Sequence, residues 1–182
     1  MTSHELVVKF AQMRPDLLAH LDAHWAARLH CQPSLLRSQL TSIISDPART
    51  GAEVWLFDKT CAMIAAPPIA RALQVSVGKR TPAQAFEPSR LRDAVSMFDL
   101  ELHGPDAILA LCQPSVCANG INWIRASEVE SEIAAAVRVA AATGIPIVAI
   151  PLKCRPARRA AEACGFELYA SVVFIGDRPK QL

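Results

Sequence analysis

The sequence predicts an α/β protein of the α+β kind, with one central mixed sheet flanked by helices on both faces, and three stretches carry that expectation. From Ser127 to Phe174 the chain reads helix, strand, helix, strand, with punctuation at each junction. Within it, Ile145-Pro-Ile-Val-Ala-Ile-Pro-Leu152 is almost wholly apolar, as befits a strand covered on both faces. Glu53-Val-Trp-Leu-Phe57 and Cys61-Ala-Met-Ile-Ala-Ala66 flank the turn residues Asp58-Lys59-Thr60, the pattern of a β-hairpin.

Bulk properties bound the answer. A chain of 182 residues suits a single domain, residues 1–182, with a proper core. Its 52% hydrophobic and 20% charged content belongs to a folded globular chain, and a net charge of +2 gives no reason to expect specific nucleic-acid binding. Basic residues gather at Lys153, Arg155, Arg158 and Arg159, which read as a solvated helix face. No export-type apolar segment and no run of membrane-spanning length is present, so a cytoplasmic location without a membrane span is expected. The six cysteines form no CxxC pair, so they read as reduced, mostly buried small side chains.

Taken in order, Leu6-Val-Val-Lys-Phe10 is apolar and β-branched enough for a first strand. Arg14-Pro15-Asp16 opens a helix, with proline in its first turn and an acid beside its positive end. Leu18, Leu21, Trp25 and Leu29 make its buried stripe and Pro33 stops it. His20 and His24 stand four apart with Cys31 at a similar angle, a geometry open to a soft metal; the competing reading places them on the border of the buried stripe. With no fourth ligand in view, no metal is expected. Ser34 is expected to cap a second helix, Leu35 to Ile44.

After the hairpin, Pro67-Pro68 breaks the pattern. Ala72 to Val77 reads as a strand, and Pro88 to Phe98 as a helix turning Leu91, Val95 and Phe98 inward. The region from about 67 to 104 reads as an insertion or an elaborated sheet edge. Ala107-Ile-Leu-Ala-Leu-Cys112 and Ile121-Asn-Trp-Ile124 are expected to form a second hairpin that delivers the chain to Ser127. Ser127 and Glu130 form a capping box, Val129, Ile133, Val137, Ala140 and Ala141 recur at helical spacing, and Gly144 is expected to end that helix in a left-handed conformation. Pro156 and Gly165 bracket a short helix, and Glu167-Leu-Tyr-Ala-Ser-Val-Val-Phe174 reads as the last strand.

This order of elements, with the short helix ending in Gly165-Phe166-Glu167-Leu168-Tyr169, resembles the C-terminal half of the GNAT superfamily of N-acetyltransferases. The likeness spans roughly fifty residues by motif count. It implies a cofactor strand at Ile121–Ile124, a splayed parallel partner at Ile147–Ile150, and an acetyl-CoA diphosphate seated at the start of the helix opened by Ser127. Carried over, the cofactor-binding positions are Arg125, Ala126 and Ser127. The family's phosphate-binding glycines are missing there, and Glu128 and Glu130 oppose an anionic ligand. The tyrosine that protonates the departing thiolate falls on Ala161, and the family's asparagine falls on Cys154. No carboxylate falls clearly where a general base would deprotonate an amine, Glu53 at the hairpin start being the one candidate, and Tyr169 lies on the following strand.

A narrower pattern is similar to GNAT-like internal virion proteins of short-tailed phages. It comprises Ala107 to Leu111, Asn119-Gly120, Trp123, Ser127-Glu128 and Gly165-Phe166, within about the last seventy residues. What this resemblance implies is a structural component with protein partners, without catalytic residues or a cofactor, and a location in the virion. The alternative is a divergent acetyl-CoA-dependent N-acetyltransferase acting on an amine.

Overall fold

The structure is a computed structural model that describes residues 13–112, 120–124 and 144–176. The expected strand at Leu6–Phe10, the helix opened by Ser127, and the positions Arg125, Ala126 and Ser127 lie outside the described residues.

The described chain opens with helix α1 (Pro15–Arg28) and a 3-10 turn at Pro33–Arg37. Strand β1 (Thr41–Ser45) precedes the hairpin β2 (Ala52–Phe57) and β3 (Thr60–Ala65). Three short helices follow, α2 (Pro67–Ser76), α3 (Pro82–Ala85) and α4 (Pro88–Val95), with a 3-10 turn at Ser96–Phe98. The remaining elements are β4 (Leu102–Leu111), β5 (Ile121–Ile124), β6 (Ile145–Pro151), α5 (Arg155–Ala163) and β7 (Phe166–Ile175). Each of these α-helices carries proline in its first turn, where the missing N–H would have had no partner anyway.

The strands form one mixed sheet in the order β1-β3-β2-β7-β4-β6-β5. Pairs β1–β3 and β5–β6 are parallel, and the other neighbours are antiparallel. Alternation along the strands divides the core between two faces. Trp55, Phe57, Ile64, Val172 and Phe174 pack with Leu17, Leu21 and Trp25 of α1 and with Ala157 and Ala161 of α5. Val54, Met63, Val173 and Ile175 pack on the other side with Ile69 and Leu73 of α2, Phe86, and Leu91 and Val95 of α4. The mixed sheet with helices on both faces is therefore as the sequence predicts.

Several local expectations are corrected. Leu35–Ile44 is no helix: after one 3-10 turn the chain passes Gln39, at φ 60°, and enters β1. Ile43 and Ile44 prefer a pleated surface, and pairing with β3 decides the matter. Ala72–Val77 is no strand, because Pro67 starts a helix whose buried stripe runs Ile69, Leu73 and Val77. The α1 stripe is Leu17, Leu21, Trp25 and Leu29, with Leu18 half-buried. Strands β4 and β5 form no hairpin, since β6 lies between them. Gly144 is not left-handed; a Cβ there would stand 2.7 Å from the Gly120 carbonyl oxygen, so close backbone approach is what calls for glycine. Gly165, at φ 89°, does take the left-handed position after α5. Of the five cysteines described, all unbridged, only Cys61 is fully buried and the other four are half-buried.

Candidate functional site

Two carboxylates lie beneath α1 on the sheet face it covers, which is unusual for acids outside a functional or structural node. Asp22 sits on the helix between Leu21 and Trp25 and is 7% exposed. Glu53 projects from β2 on the same face as Trp55 and is 3% exposed. An ion taken this far from water needs a counter-ion and hydrogen bonds. Both acids have them.

Arg37, from the 3-10 turn, grips Asp22 with both ends of its fork, Nη2 to Oδ1 at 2.6 Å and Nε to Oδ2 at 2.9 Å. The Tyr169 hydroxyl on β7 donates to Asp22 Oδ1 at 2.9 Å. Burial, and then the Asp22 charge and hydrogen bond, push the Tyr169 hydroxyl well above the usual phenol range. Burial works against the Arg37 charge, but hydrogen bonding to Asp22 and its charge outweigh it and raise the guanidinium further. The guanidinium also lies 5.5 Å from the Tyr169 ring centroid.

Glu53 is held more completely. Arg28 of α1 donates Nη2 to Oε1 at 3.1 Å and Nε to Oε2 at 3.4 Å. Arg49 Nη1 adds a short bond to Oε1, and Trp55 Nε1 donates to Oε2 at 3.1 Å. A carboxylate has about four acceptor sites, and these four donors fill them. The chain of charge continues to Asp46, whose Oδ2 lies 3.5 Å from both Arg49 Nε and His30 Nδ1.

Between the two acids stand the large rings. Trp25 meets Trp55 at 4.4 Å between centroids, Trp123 at 6.0 Å and Tyr169 at 6.5 Å. Arg28 lies 5.5 Å from the Trp25 ring centroid. The Trp25 indole N–H is buried and has no acceptor among the described residues. Chemically, the arrangement locks α1 to the 3-10 turn, the β1–β2 loop and two strands. It has no acceptor of Glu53 left for a proton and no Tyr169 donor left for a thiolate.

The other sequence candidates disperse. Ala161 is fully buried on the inner face of α5, and Cys154 is the N-cap residue of that helix but makes no side-chain cap bond. His24 lies edge-on to Trp25 at 5.2 Å, and the partial burial of its ring, followed by the charges of Arg28 and His20, lowers its pKa. Burial raises the half-buried Cys31 thiol. Among the described residues no group of three His, Cys, Asp or Glu side chains could hold a metal. Burial and then Glu167 push the Cys112 thiol up to about 12, far from thiolate chemistry at neutral pH. Strands β5 and β6 pair in parallel from Ile121↔Ile145 to Ile124↔Val148, and any opening beyond Ile124 lies outside the described residues. No helix among the described residues is long and apolar enough to cross a membrane.

Sequence reasoning missed Asp22, Arg28, Arg37 and Arg49. A signal existed for the first: Asp22 stands between Leu18 and Trp25 at helical spacing, an acid on the apolar face. The arginines come from separate elements and carry no such mark. Comparison with protein-family models, curated proteins and solved structures gave no match.

Proposed function

We propose that this chain is a GNAT-like domain that has lost acetyl-CoA chemistry and works through protein contacts, with a phage virion as the setting its sequence resemblance suggests. The observation that carries the reading is that its buried acids and phenol are already committed, Glu53 to two arginines and Trp55, Asp22 to Arg37 and Tyr169. Glu53 has every acceptor site filled, and the Tyr169 hydroxyl is spent on Asp22. Alanine and cysteine occupy positions 161 and 154, where the resemblance places a proton donor and an asparagine. General acid–base catalysis needs a group within hydrogen-bond reach of the moving proton and free to take or give it.

Titration calorimetry of the full chain with acetyl-CoA and with CoA tests the reading. No saturable heat is expected at high micromolar ligand. Saturable binding would return the divergent N-acetyltransferase, holding its cofactor at Arg125, Ala126 and Ser127, to first place.

A further inference from the structure

Strand β1 ends the sheet, and its hydrogen-bonding pattern shows which of its groups look outward. Cys61 N–H donates to the Leu40 carbonyl at 3.0 Å, and Asp46 N–H donates to the Ala65 carbonyl at 2.9 Å. With Thr41 paired to Cys61 in a parallel ladder, the even-numbered residues Ser42 and Ile44 turn their N–H and C=O toward β3. Thr41, Ile43 and Ser45 turn theirs away. Among the described residues these outward backbone groups meet no partner.

Sheet edges of this kind are ordinarily blunted by a charge, a proline or a bulge. Strand β1, Thr41-Ser-Ile-Ile-Ser45, has none of these, and the ladder to β3 runs unbroken through all five residues. Leu40, just before it, is 62% exposed. The outward residues are also symmetric about Ile43.

We infer that β1 is a self-pairing edge, which joins two copies of this chain antiparallel about a two-fold axis through Ile43. In that register Thr41 faces the second copy's Ser45, Ile43 faces Ile43, and Ser45 faces Thr41. Every outward N–H then finds an outward C=O, because all three pairs are of the doubly hydrogen-bonded kind. The Ser45 hydroxyl of one copy faces Thr41 Oγ1 of the other, which gives its own proton to the Arg80 carbonyl at 3.0 Å and can still accept, and isoleucine meets isoleucine. No like charges oppose each other, since the strand has no charge. A strand and its own copy satisfy the closed symmetry of an isologous dimer. The inference is independent of the loss of catalysis, because an active enzyme could pair in the same way.

Light scattering on the full chain, combined with residue-resolved amide exchange, tests it. A mass twice 19.7 kDa is expected at high concentration, falling to 19.7 kDa on dilution. In the dimer the amides of Thr41, Ile43 and Ser45 become protected together with the already bonded Ser42 and Ile44; on dilution the odd-numbered set alone loses protection. Ser45→Pro removes an outward N–H from an exposed position, where proline suits an edge strand, and is expected to leave a folded monomer. Should that variant fail to fold, the exchange pattern of the natural chain still decides. A chain that stays monomeric, or a dimer whose odd-numbered amides exchange freely, overturns the inference.

Discussion

Replacing Glu53 by glutamine keeps the shape of the side chain and removes its charge, so it isolates what the buried carboxylate does. Arg28 and Arg49 would lose their shared counter-ion, and the new amide N–H₂ would face donors where an acceptor stood. Removing one member of a buried pair costs roughly 3–5 kcal/mol. Both arginine side chains keep nearly a third of their exposure, 29% and 28%, and Arg49 retains Asp46 nearby, so water and that acid return part of the loss. The expected destabilisation is about 2–3 kcal/mol, read from urea unfolding followed by circular dichroism, with Tm lower by roughly 4–12 °C. Asp16→Asn, which breaks the exposed pair with Arg14 and removes an acid from the first turn of α1, is the control and should shift the midpoint far less. Replacing the acid and both arginines, Glu53→Leu with Arg28→Met and Arg49→Met, should recover only part of the loss: a buried ionic cluster is often no better than apolar packing, but the Trp55 indole N–H and Asp46 each lose a partner. A Glu53→Gln loss below about 1 kcal/mol would refute the reasoning, because an ordinary surface substitution costs that little.

Other consequences follow from the same geometry. Tyr169→Phe deletes the hydroxyl bonded to Asp22 and should cost about 1.5–3 kcal/mol, the range typical of hydrogen bonds to charged groups. Because the folded-state pKa of Tyr169 is raised, its contribution is complete below the unfolded value near 10 and lost as pH climbs above it; chemical unfolding across that range should fall less steeply in the variant than in the natural chain. Gly144→Ala places a methyl against the Gly120 carbonyl and should destabilise by roughly 1–3 kcal/mol, as overpacking does. An unchanged unfolding midpoint would contradict the close approach.

The parts of the fold legible in the sequence were those that local chemistry settles. Hairpin residues 53–66 announced themselves by two β-rich runs around a turn, and the apolar run at 145–152 by its length and punctuation. Leu91 and Val95 gave α4 by spacing alone. Proline misled in one place: Pro67-Pro68 looked like a break, yet the first turn of a helix is where proline fits. At Leu35–Ile44 a local cap signal lost to long-range pairing with β3. Neighbours in sequence need not be neighbours in the sheet, which is why β4 and β5 stand apart with β6 between them. Of the site, Glu53 was visible as a lone acid in an apolar strand, and Tyr169 as the single tyrosine. Their partners were not, because Arg28, Arg37 and Arg49 look like any surface arginines until the fold brings them to the buried acids.

Under the proposed function, acetyl-CoA does not bind this chain. Nuclear magnetic resonance of the labelled chain with excess acetyl-CoA addresses it at the residues in question. The amide signals of Arg125, Ala126 and Ser127 should stay in place throughout the titration. Saturable shifts confined to those three and their neighbours would mean that a diphosphate does settle there, and the account of a domain without its cofactor would be wrong.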